Sequence, residues 1–355
     1  MIIVVCAVAL VAAGTGVAAL IHDSRRCRGS KTGCDASLAR LPVRVVIDSA
    51  PAFGLLGPAA VTAQRGRLWI SDSAGDTVTE LGWKAGSTPV VWGGQRYRLD
   101  HPGALTAGQA ELWIASADSI TEMSTTTGRV IRVVAHAGWL AGPRALVLFG
   151  HRLWVACARS LAELSTSTGR VIRVLRGARY RFAGPAALAI SHGRLWVANS
   201  AADSVTVVNP VTGAWRATLP GQRFGLTDPS SEVAARTRLW MASGSADSVS
   251  EINTVTGKLM RVVTGRAYGL ASPAAIALAR GQLWIANSGN SSVSEIDPAT
   301  GRLLLHLAGS RYGFAGPAGL IILRDRVWVL NRAGGSVTEL IPRGQAGNRR
   351  RPALR

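Results

Sequence analysis

The run Pro185-Ala-Ala-Leu-Ala-Ile190, a turn at Ser191-His-Gly193, then Arg194-Leu-Trp-Val-Ala198, Ser204-Val-Thr-Val-Val208 and Ala214-Trp-Arg-Ala-Thr-Leu219, decides the fold of this chain. Its four short segments are rich in apolar and β-branched residues and are separated by Gly, Asn, Pro and Ser, which reads as four strands joined by tight turns. The third turn, Asn209-Pro-Val-Thr-Gly213, recurs as Asn253-Thr-Val-Thr-Gly257 and Asp297-Pro-Ala-Thr-Gly301. In such a turn the Asn or Asp side chain accepts backbone amides, Pro presets φ and Gly takes the left-handed position. The whole unit repeats. Trp69, Trp113, Trp154, Trp196, Trp240, Trp284 and Trp328 follow at intervals of 44, 41, 42, 44, 44 and 44 residues. Each stands 11 residues after a proline: Pro58, Pro102, Pro143, Pro185, Pro229, Pro273 and Pro317. The two shorter intervals come from two residues lost in each of the loops after Trp113 and Trp154, the first interval being shorter by one more because its aromatic, Trp139, stands four residues before the proline. Four strands in about 43 residues is the length of a propeller blade, so the sequence predicts an all-β, seven-bladed β-propeller.

The ends of the array predict how the ring closes. The last copy has three strands, around 319–323, 327–330 and 336–341, and no fourth. The missing strand lies at the other end, at Pro42-Val-Arg-Val-Val-Ile47, with no first, second or third strand before it. Pairing it beside 336–341 removes an open sheet edge. The expected organisation is therefore an apolar segment at 1–21, a basic linker at 22–41 holding Cys27 and Cys34, the propeller at 42–342 and a basic tail at 343–355.

The apolar opening has the length of a membrane span or of a signal peptide's hydrophobic part. Arg25, Arg26, Arg28 and Lys31 after it would hold the propeller in the cytoplasm on charge bias alone. Against that, Val17-Ala-Ala19 fits a small-residue cleavage site, and the spacing of Cys27 and Cys34 suits a disulfide in an oxidising compartment, two unpaired thiols being the alternative. The expectation is a membrane-anchored or secreted protein with an extracytoplasmic, monomeric propeller.

The net charge of +20 comes from 37 arginines and three lysines against 20 acidic residues. Its placement marks the candidate site. An aromatic precedes the blade proline by five residues in six copies, and in five of those an arginine stands beside or near it: Arg96 and Tyr97, Arg179 and Tyr180, Arg223 and Phe224, Arg266 and Tyr268, Arg311 and Tyr312. Ring symmetry puts these ten residues on one rim. Guanidinium groups offer forked donors and stack on aromatic faces, so the rim suits an acidic glycan, an envelope surface or the carboxylates of a protein partner. The other reading is that each arginine covers its own blade's aromatic. A second set, Arg67, Arg152, Arg194, Arg238 and Arg326, falls two residues before the tryptophans and is expected to make the opposite rim basic too. Glu80, Glu122, Glu163, Glu251, Glu295 and Glu339 recur in third strands and read as cross-strand partners for outer-strand arginines such as Arg132, Arg173, Arg261 and Arg44. Asp72, Ser116, Cys157, Asn199, Ser243, Asn287 and Asn331 end the second strands on the aromatic rim, where turn-forming roles compete with ligand contacts. No nucleophile elbow and no nucleic-acid module occurs, and no cofactor is expected.

Copies such as Leu195-Trp-Val-Ala-Asn-Ser200 followed by 204–213 resemble the repeats of YVTN and NHL-type β-propellers over residues 42–342. That resemblance implies a blade type and leaves activity open, because such propellers serve as sensors, adhesion modules, scaffolds and enzymes. The sequence is also similar, more weakly, to virginiamycin B lyases, for which the resemblance would imply a histidine base and a carboxylate-bound magnesium on the channel rim. The chain departs from that pattern. His151 and His192 fall in turns of the opposite rim and His306 on an outer strand, leaving His101 and His136 in the loops before blade prolines without a paired His/Glu motif. A non-catalytic binding, sensing or scaffold module is expected, with a metal-assisted lyase or hydrolase as the alternative.

Overall fold

A computed structural model describes residues 43–49, 54–82, 88–135, 138–279 and 281–342, with side chains for all of these except 43–49 and 342. Seven four-stranded antiparallel sheets follow in chain order. Blades 1 to 6 span 58–93, 104–135, 145–175, 185–220, 229–264 and 273–308. Blade 7 is built from Pro317–Leu323, Arg326–Asn331 and Ser336–Pro342, and its outer strand is Val43–Ser49 from the other end of the chain. That strand runs antiparallel to Ser336–Pro342, in a register from Val43 opposite Pro342 to Ser49 opposite Ser336. The N-terminal outer strand therefore closes the ring. Phe53, His136, the apolar opening, Cys27, Cys34 and the basic tail lie outside the described residues.

First strands of successive blades pack against one another around the whole ring, including blade 7 against blade 1, so these strands form its inner wall. In five blades the register shifts by one residue just after the inner-strand proline, a bulge that re-aims the residue following it. The tryptophans hold blade to blade. Trp69 packs with Leu105 and Leu112 of blade 2, Trp154 with Leu188 and Leu195 of blade 4, and Trp328 with Val61 and Leu68 of blade 1. All seven are at most 5% exposed, and burying one large apolar side chain contributes roughly 1.5–3 kcal/mol. The repeat persists because every blade presents the same knob to its successor.

The up-and-down connectivity puts the outer-to-inner linkers and the loops after the second strands on one face, called the linker face. The hairpin turns lie on the other, the turn face. The expected turn chemistry is present there: Asn209 Oδ1 accepts the amides of Val211 and Thr212, and the Gly213 amide donates to the Asn209 carbonyl. Gly128 of blade 2 shows why the last turn position is glycine. Its φ is 67°, and a Cβ there would overlap the Trp92 ring of blade 1.

Candidate functional site

Four of the five arginine and aromatic pairs sit on short helical turns of the linker face: Gln95–Tyr97, Gly221–Phe224, Arg266–Tyr268 and Ser310–Tyr312. The aromatics turn inward between blades. Tyr97 and Tyr312 are each 2% exposed, Phe224 is buried, and Tyr180 and Tyr268 are half-buried. Tyr97 Oη donates to the Gly128 carbonyl and Tyr180 Oη to the Gly213 carbonyl, both at 3.1 Å, so these rings reach the turn face of the following blade. Their arginines stay outside. Arg96 lies 4.7 Å over the Tyr97 ring and donates to its hydroxyl, Arg311 lies 5.1 Å over Tyr312, and Arg179 lies 5.6 Å from the Trp215 ring. Arg96, Arg179, Arg223, Arg266 and Arg311 are all exposed, and none pairs with a carboxylate among the described residues.

The second arginine set behaves differently and corrects the expectation of two equally basic rims. Arg67, Arg152, Arg238 and Arg326 each pair with the third-strand glutamate of their own blade, Glu80, Glu163, Glu251 and Glu339. In blades 3 and 5 the glutamate is held from both sides, because Arg173 and Arg261 on the outer strands pair with Glu163 and Glu251 at 2.6 and 2.7 Å. These carboxylates are buried, and their arginines also grip the next blade: Arg152 and Arg173 donate to the Val211 carbonyl, Arg238 to that of Pro298 and Arg261 to that of Ala299. Blade 4 has Val207 and Ala217 in place of the central pair, and there Arg194 donates to the Thr254 carbonyl of blade 5. Glu122 pairs with Arg132 as expected, at 2.5 Å, and burial pushes its carboxyl above the ordinary value. Arg44 stands opposite Ile341, with Val46 opposite Glu339, so the closing blade lacks the direct cross-strand position expected for it.

The polar residues that end the second strands are buried, and four of them hold neighbouring strands or loops. Asn199, Asn287 and Asn331 donate through Nδ2 to Thr206, Ser294 and Thr338 on the adjoining strands, and Asp72 accepts the amides of Leu56, Gly57 and Gly75. Cys157 is likewise buried, and burial raises its thiol pKa. A second repeated device ties three blades to their successors. Asp76, Asp203 and Asp247, all in left-handed backbone at the end of their loops, accept the amides of His101, Asp228 and Ser272 in the next linker.

One group of metal-ligating side chains converges among the described residues: Asp76, Asp100 and His101, whose ligand atoms lie within 4.8 Å of one another. All three are exposed. His101 Nδ1 bonds Asp100 Oδ1 at 2.7 Å, a contact that raises the imidazole pKa, and Asp76 Oδ1 already holds the His101 amide. A magnesium ion takes a shell of oxygen donors in near-octahedral geometry. Three exposed groups engaged with each other and with backbone do not fit it.

One buried charge was not singled out by sequence reasoning. Glu232, on the inner strand Pro229–Ala235 of blade 5, is 1% exposed, and neither carboxylate oxygen has a hydrogen bond of ordinary geometry. Burial pushes its carboxyl well above the usual value, and a backbone contact with Ala189 of blade 4 opposes the shift without cancelling it. The other six blades carry Val61, Leu105, Leu146, Leu188, Ile276 and Leu320 three residues after the proline. The signal was therefore present in the aligned repeats.

No protein-family model matches the chain, and no curated protein matches it. Solved structures do. A streptogramin B lyase aligns with a TM-score of 0.71 at 15% identity, covering 84% of this chain and 97% of that one. Virginiamycin B lyase from Staphylococcus aureus aligns at 0.68 and 13% identity, covering 84% and 99%. BamB from Moraxella catarrhalis aligns at 0.55 and 13% identity, covering 83% of each chain. At these identities the likeness is one of fold.

Proposed function

We propose that this propeller is a non-catalytic binding module whose linker face receives an acidic surface of a protein partner. The observation that carries the reading is the unequal use of two arginine sets. Four arginines near the turn face are neutralised by glutamate inside the blades, whereas Arg96, Arg179, Arg223, Arg266 and Arg311 are exposed without a carboxylate partner among the described residues. Guanidinium groups that stabilise no internal ion pair remain available to an outside anion. Asp76, Asp100, Asp203 and Asp247 are interleaved with them on the same face. That favours a protein surface of matching mixed charge over a uniformly acidic glycan, which those carboxylates would repel. The fold does not choose between binding and catalysis, since its structural neighbours include both a lyase and a WD40 domain. The reading keeps the propeller extracytoplasmic, on the support of the apolar run at 1–21.

The test is binding of the full chain to arrays of acidic proteins and glycans at two salt concentrations, with and without a chelator. Binding to acidic proteins that weakens with salt, survives chelation and is lost in an Arg179→Ala/Arg311→Ala variant is expected. A variant that binds as the wild type does would overturn the reading. Binding abolished by chelation would instead direct effort to the lyase alternative.

A further inference from the structure

Seven copies of one blade provide an internal control: a residue that departs from the repeat without a structural role has been placed there for something else. The linker face can be searched this way at its inner radius. Four rings of seven positions surround the channel mouth: the residue before each inner-strand proline, the residue after it, and the first two residues of each loop following the second strand. Their location follows from hydrogen bonding. Ser73, Ser200 and Ser288, first in their loops, donate from the side chain to the carbonyls of Gly57, Gly184 and Ser272, each directly before an inner-strand proline. Most of these positions hold Gly, Ala or Ser, so the mouth is lined mainly by small residues.

Six residues break the pattern: His101, Asp118, Arg144, Arg159, Asp228 and Arg332. His101 belongs to the carboxylate cluster already described, and Asp118 has an interaction of its own. Asp228 and three arginines remain. Arg144 follows Pro143 at the position that forms the bulge in other blades, and it is exposed where Ala59 and Ala186 are buried. Arg159 stands in the adjoining loop of the same blade, also exposed. Arg332 occupies the serine position in blade 7, three blade steps away across the mouth. Its backbone amide keeps the repeated bond, to the Gly316 carbonyl, while its guanidinium is half-buried and makes no ion pair among the described residues. Burial lowers its pKa with no carboxylate to compensate. None of the three arginines supports the fold through an ion pair among the described residues, and all stand among positions that other blades fill with small side chains.

We infer that the channel mouth is a carboxylate seat, in which Arg144 and Arg159 on one side and Arg332 on the other hold an acidic peptide segment of the partner. The inference rests on the proposed binding function and narrows it: the outer arginines steer an acidic surface, and the mouth fixes one extended segment of it. Forked guanidinium donors on opposite sides match the two oxygens of successive carboxylates. Asp228 of blade 5 lies between the two sides and repels an anion from one approach, which orients the segment.

The test uses the full chain and a fluorescein-labelled oligoglutamate peptide at low salt, read by anisotropy. Arg144→Ala, Arg159→Ala and Arg332→Met, the last keeping the aliphatic stem's packing, should each weaken binding about tenfold or more. Arg216→Ala, which removes an equal charge from the outer strand of blade 4, should change it less than about twofold, and Asp228→Asn should tighten it. If the three mouth variants weaken binding no more than Arg216→Ala does, the seat does not exist. Loss of binding in Arg179→Ala/Arg311→Ala with intact binding in the mouth variants would refute the seat and leave the binding function standing. Failure of the wild type to bind oligoglutamate would overturn the seat, while the binding function would still be decided by the acidic-protein array.

Discussion

Replacing Glu232 by leucine, the residue that four sister blades carry at this position, should stabilise the protein, and by more as the pH rises. Glu232 is fully buried between blades 4 and 5 with neither oxygen in a hydrogen bond of ordinary geometry, and burial raises its pKa well above the ordinary 4.5. The sign follows from linkage. A carboxyl with a raised folded pKa stays protonated in the native state, while the unfolded chain ionises freely above about pH 4.5. Native stability is therefore greatest below that value and falls by about 1.4 kcal/mol for each pH unit up to the folded pKa. A second cost is independent of pH: an unsatisfied buried polar group destabilises by about 1–3 kcal/mol. Glu232→Leu removes both. Near neutrality the two costs add, and a gain of about 3 kcal/mol or more is expected, equivalent to about 5 °C or more in Tm for a chain of this size. Thermal and urea unfolding of wild type and variant across pH 4 to 8 measures it. The difference should be small and constant at the acid end and widen upward. A gap that does not change with pH, or a variant less stable than wild type at neutral pH, would refute the account of a neutral, unpartnered carboxyl.

Glu163 sits between Arg152 and Arg173, so Glu163→Ala leaves two partly buried cations facing each other and should cost about 2–4 kcal/mol in urea unfolding. The double change Glu163→Val/Arg173→Ala, which copies Val207 and Ala217 of blade 4, should cost measurably less; an equal or larger loss would show that the ion pairs themselves carry the stability. Deleting residues 1–48, which takes nearly all of the closing strand, should lower Tm sharply, whereas deleting 1–36 should not, and equal melting temperatures would contradict closure by that strand. Tyr180→Phe removes the hydroxyl bonded to the Gly213 carbonyl and should cost about 1 kcal/mol, read as a shift in urea midpoint at constant slope.

The fold was legible because its determinants repeat in phase. Pro185 and Trp196 each have one backbone or packing task that recurs in every blade at the same offset, and the turn glycine Gly213 recurs as Gly128, Gly169, Gly257 and Gly301. Closure was legible for a related reason, since a blade lacking an outer strand and an outer strand lacking a blade have one sensible pairing. The direction of side chains at the surface was not. Arg67 and Glu80 are 13 residues apart along a hairpin, and spacing alone does not tell that the guanidinium turns back onto the buried carboxylate. Blade 4 carried the hint, because Val207 and Ala217 change together. Tyr97 and Tyr180 sit in loops, where an aromatic can stand outward or wedge between sheets; the carbonyls of Gly128 and Gly213 draw them in. Glu232 and Arg332 were visible as departures from the repeat, but a departure acquires meaning only when burial and partners are known.

The seam between the first and last strands also determines how the ring yields to force. Val43 and Pro342 stand opposite each other at the same end of an antiparallel ladder. Tension applied between the two ends of the chain would load that ladder one rung at a time, starting there, instead of shearing all its bonds together. Blade 7 is thus a zipper and the other six blades are not, because each of those is one continuous meander. A pull on the termini opens the circle at a single predetermined place. The remaining blades keep their sheets until the gap has already formed.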